Sequence, residues 1–96
     1  MFKSSIEKKL AALSRELRTL RQELGIVEEQ LIQVSDEAEE SRLRSLVSET
    51  PLAAHEHRES AKAAAAIRRD RDAKLQRLAK LERKQDDLLD RLAEAR

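Results

Sequence analysis

Apolar residues recur along the first half of the chain at alternating steps of four and three. They are Ile6, Leu10, Leu13, Leu17, Leu20, Leu24, Val27, Leu31, Val34 and Ala38. This is a heptad pattern, with Leu10, Leu17, Leu24, Leu31 and Ala38 at position a and Ile6, Leu13, Leu20, Val27 and Val34 at position d. A repeat of about 3.5 residues keeps one stripe facing a partner helix, so the pattern predicts a coiled coil. The second half is a poorer match. Its best frame puts Ala64, Arg71, Leu78, Gln85 and Leu92 at a and Ile67, Lys74, Leu81, Leu88 and Ala95 at d. Arg71, Lys74 and Gln85 interrupt the seam. Long side chains can lay their stems on such a seam with the polar heads in water. Leu75 and Leu89 fall at e, which widens the stripe beyond what two helices need and marks a candidate dimer stripe.

One break divides the two patterns. Pro51, the single proline, follows Thr50, and Thr-Pro suits an N-cap with proline in the first helical turn. The predicted elements are helix one over about 3–48, a turn over about 48–51 and helix two over about 51–95, forming a single domain over 1–96. Gly25, the single glycine, lies inside the first heptad run and is read as tolerated within the helix.

Two long helices joined by a short link normally fold back on each other. Charge favours that arrangement over a parallel rod. Seven acids and no base lie between Glu23 and Glu40. A parallel dimer would set this block beside its own copy. A hairpin sets it against residues 61–78, where Lys62, Arg68, Arg69, Arg71, Lys74 and Arg77 outnumber Asp70 and Asp72. Exposed pairs contribute little individually; orientation is selected by the repulsion avoided. Bulk agrees as well: Ala61 and Ala63 to Ala66 would face Ser35, Ala38 and Ser41. The expected fold is therefore all-α, two long helices in an antiparallel coiled-coil hairpin, with a four-helix dimer as the arrangement a wide stripe allows. An antiparallel pairing between two chains satisfies the same complementarity.

Composition narrows the chemistry. Charged residues make up 41% of the chain and aromatics 1%, which suits paired helices and not a large globular core. No cysteine is present, so there is no disulfide and no thiolate metal site. A single glycine excludes a phosphate-binding loop. His55 and His57 are two apart, on opposite sides of a helix, and are read as solvated residues near the turn and not as metal ligands. The serines lack a nearby base, and a two-helix fold has no cavity in which to perturb a carboxylate. The expectation is a non-enzymatic protein with no cofactor. No apolar run is long enough for a membrane span, and the first residues lack a signal-peptide core. These features lead to an expected cytoplasmic location. Thirteen Arg against seven Lys, with fourteen Ala, suit a GC-rich bacterial genome.

Three surfaces are candidates for binding. The first is the tip, with Leu46, Val47, Thr50, Pro51 and Leu52, where apolar groups would either close the hairpin on one another or meet a protein partner. The second is a basic face, Arg68, Arg69, Arg71, Lys74 and Arg77, in a stretch that carries a net +6 between Lys62 and Lys84. It would serve nucleic acid through phosphate contacts, although no aromatic is available there to stack on bases. The third is the Leu75 and Leu89 stripe, suited to a homodimer or a larger self-assembly. In outline the hairpin resembles the coiled-coil arms of transcription-cleavage factors, seryl-tRNA synthetases and secretion-associated stalk proteins. The resemblance is one of shape, since the acidic tip of the first and the aminoacylation core of the second are absent. An adaptor that binds a protein partner is the expected role.

Overall fold

The computed structural model describes residues 2–95, with side chains from Lys3 to Ala95. Two helices account for nearly all of them, α1 (Phe2–Ser48) and α2 (Pro51–Glu94), packed as an antiparallel hairpin. Both boundaries at the break fall where Thr50 and Pro51 place them.

The turn is built from two local devices. At the end of α1, Glu49 takes a left-handed conformation with φ of 50°, and its N–H donates to the Ser45 carbonyl at 3.1 Å. This is the αL helix stop, a position usually held by glycine. At the start of α2, Thr50 Oγ1 accepts from the Ala53 N–H at 3.1 Å, and the Thr50 carbonyl accepts from the Ala54 N–H. Thr50 is therefore a working N-cap, with Pro51 at the first helical position, where a missing N–H costs nothing. Thr50→Ala should lower stability by about 1 kcal/mol, read by urea denaturation, because the Ala53 amide loses its partner. Thr50→Ser should restore most of that loss.

The contacts divide the chain into two compact units. The open-end unit comprises residues 1–24 and 73–96, and the turn unit comprises residues 25–72. In the open-end unit the core is leucine: Leu13, Leu17 and Leu20 of α1 are buried with Leu81 and Leu88 of α2, and Ile6, Leu10 and Leu78 pack against them. Gln85 is half-buried and takes its expected seam position. Ala95, expected at d, is exposed at the last turn.

In the turn unit the seam shrinks. Leu31 lies beside Arg71 along one groove, and Val34, Ala38, Ala64 and Ile67 hold seam positions at half or full burial. Closer to the turn the inward residues are Ser41 and Ser45 of α1 and Ala53, His57 and Ser60 of α2. The four-three spacing thus continues past Ala38 through Ser41 and Ser45. Ser41 is only 1% exposed, and its hydroxyl donates to the Ala38 carbonyl at 2.9 Å, so its burial leaves that hydroxyl satisfied. The alanine run of α2 does not pack as a block. Ala64 is buried and Ala65 half-buried, while Ala61, Ala63 and Ala66 face outward. A helix cannot turn five neighbouring residues to one side. Gly25 is exposed within α1, and a Cβ there would meet open space, so nothing in the packing requires a glycine.

Candidate functional site

The turn end carries the largest exposed apolar group. Leu46 is 61% exposed, Val47 85% and Leu52 67%, with Leu43 half-exposed beside them. These residues do not close the hairpin on one another. In the heptad frame Leu43, Leu46 and Val47 occupy f, b and c, the outward side of α1, and Leu52 occupies the outward position c of α2. The small inward residues Ser41, Ser45 and Ala53 close the end instead. Glu49 and Thr50 are the whole link between the helices there. Thr50 and Pro51, candidates on sequence, serve as cap and first helical residue, and both are exposed.

The basic residues divide by position. Arg71 and Lys74 sit at a and d and are half-buried on the seam, whereas Arg68, Arg69 and Arg77 are exposed at e, f and g. Arg71 bonds its neighbour Asp72 at 2.9–3.0 Å. Arg77 pairs with Glu16 across the two helices of the open-end unit. The acidic stretch of α1 also finds local partners: Glu39 with Arg42 at 2.7 Å, and Glu40 with Arg44 at 3.9 Å. The hydrogen bond from the Arg42 guanidinium is the main reason the Glu39 carboxyl titrates below its ordinary range, and it raises the Arg42 pKa in turn. Pairs three or four apart on one helix need less side-chain ordering than pairs across helices.

The histidines differ. His55 is exposed. His57 is not solvated as the sequence suggested: it takes an a position, half-buried, and its Nδ1 is buried without a hydrogen-bond partner. Among the described residues no group of three His, Cys, Asp or Glu is placed to hold a metal ion. No helix among them is long and apolar enough to cross a membrane.

The grooves differ between the two flanks of the seam. In the open-end unit they run along the g side, lined by Lys9, Glu16, Lys84 and Arg91 in one case and by Glu16, Glu23, Lys74 and Arg77 in the other. In the turn unit one runs along the e side, past Glu28, Ile32, Ser35 and Asp36. Leu75 and Leu89 are 41% and 48% exposed, at e in the open-end unit. Sequence reading passed over Ile26 and Ile32, which are also exposed, because they lie outside the seam pattern. The chain matches no protein-family model, no curated protein and no solved structure.

Proposed function

We propose that this chain is a non-enzymatic helical interaction module that engages a protein partner through its turn end. One observation carries the reading: four large apolar side chains ring the turn, in solvent, where the fold has no use for them. Clustered exposed apolar groups are the usual mark of a docking surface, whereas scattered ones are ordinary. Glu49 supports the same end. It holds a left-handed conformation that glycine would adopt without cost, and such strained residues cluster where a surface is used. The burial or pairing of Arg71, Lys74 and Arg77 leaves less free positive charge for nucleic acid.

The test is a photoreactive residue at Val47 in cells carrying the native gene. A single adduct is expected, and it should disappear when Leu46 and Leu52 are both changed to serine while helicity by circular dichroism stays intact. Absence of any adduct in a folded protein overturns the reading. Salt-sensitive binding of a DNA or RNA duplex, lost on Arg68→Glu with Arg69→Glu, would replace it with a nucleic-acid role.

A further inference from the structure

Within the turn unit, α1 carries a second face besides its seam. Positions b, c and f point away from α2, and all of them from Gly25 to Val47 are exposed. Among the described residues eight large apolar side chains are exposed, and five lie on this one face: Ile26, Ile32, Leu43, Leu46 and Val47. The face also holds four acids, Glu29, Asp36, Glu39 and Glu40, and no base. Glu39 and Glu40 are each paired with an arginine at its edge, Arg42 and Arg44. Glu29 and Asp36 have no ion-pair partner among the described residues. The same positions of α1 in the open-end unit are different. From Ser4 to Gln22 they hold Lys8, Arg15 and Arg18, no acid and no large apolar residue. A solvated helix face needs only polar or small groups, so the hairpin by itself does not account for the five apolar side chains.

The face also has the spacing of a helix contact. From Ile26 to Leu46 its members follow at steps of three and four, through Glu29, Ile32, Asp36, Glu39 and Leu43. Such a line, about 30 Å long, is what a second helix lies along. We infer that it receives a basic amphipathic helix of a partner protein, apolar at both ends of the contact and carrying Lys or Arg between them. The inference rests on the turn-end docking surface, which it extends along α1 and gives a partner chemistry. Apolar side chains of the partner meet Ile26 and Ile32 at one end and Leu43, Leu46 and Val47 at the other. Its bases meet the acids between. A second copy of this chain is a poorer match. Laid on itself, the face sets four acids against four. At b, c and f elsewhere, the described residues offer a single large apolar side chain, Leu52. Gly25 fits the same use: no packing inside the hairpin requires a glycine, and a missing side chain admits a helix approaching from outside. The acids set orientation and encounter rate, and the apolar groups supply most of the affinity.

A photoreactive residue at Gln33, an exposed neutral position of the face, tests this beside the one at Val47. In cells carrying the native gene, both sites should label the same protein. Mass spectrometry of the digested adduct should place Gln33 on a segment with a net positive charge and apolar residues at steps of three and four. A synthetic copy of that segment should bind the purified full chain, and more weakly as salt is added. Glu29→Lys with Asp36→Lys should lower its affinity about tenfold, and Ile32→Ser by a similar factor. These positions are exposed, so helicity by circular dichroism should be unchanged. An adduct at Val47 without one at Gln33 overturns this inference and keeps the turn-end reading; no adduct at either site overturns both. An acidic or uncharged segment, a segment of this chain itself, or an affinity indifferent to the charge reversal also overturns it.

Discussion

Leu17→Ala should lower the unfolding free energy by about 3 kcal/mol, the largest loss expected from any single truncation in this chain. Leu17 is 1% exposed and is the largest apolar side chain fully enclosed. It belongs to the cluster of Leu13, Leu20, Leu81 and Leu88, so its removal opens a void on every side. The loss therefore combines lost transfer energy and a poorly refilled cavity. Small domains are stable by only about 5–15 kcal/mol, so the change removes a large part of the total. Urea denaturation of the variant, at a protein concentration matched to the parent, measures it. Ile26→Ala serves as the control. Ile26 is exposed on the same helix, and its loss should cost less than about 0.5 kcal/mol. Equal effects at 17 and 26 would mean that the leucine seam does not hold the helices together.

Ser41→Leu should be the most damaging enlargement, at about 2 kcal/mol. Ser41 is as enclosed as Leu17, but in a part of the seam made of serine and alanine. The inward residues nearest it along the seam are Ala38 and Ser45 on α1, and α2 presents His57, Ser60 and Ala64 over the same stretch. Glu49 and Thr50 are the whole link between the helices, so the helix ends cannot separate to admit a leucine without breaking the Thr50 cap or the Glu49 stop. Hydrophobicity would favour leucine at a d position, and volume forbids it; at this layer volume dominates. Ser41→Ala separates the two effects. It removes only a hydroxyl that bonds its own helix, and alanine's helix propensity offsets part of that loss, so the change should stay within about 1 kcal/mol. A stabilised Ser41→Leu variant would show that the helices near the turn are farther apart than their small residues imply.

The seam and the break were legible in the chain itself. Periodicity is local: apolar residues at steps of three and four must form one stripe on a helix, and Thr50-Pro51 must end one helix and begin another. Even the interrupted frame of α2 placed Arg71, Lys74 and Gln85 at inward positions that the structure shows half-buried. The pattern ended at Ala38 in the sequence because serine carries no apolar signal, yet Ser41 and Ser45 continue it by volume. Only the packed helices decided that the frame runs on to the turn, with Ala53, Ala64 and His57 turned inward and Leu46, Val47 and Leu52 left at outward positions. The reason is that the inward residues beside the two-residue link are mostly small serines and alanines, whose contribution to the seam lies in volume and leaves no apolar signal in the chain.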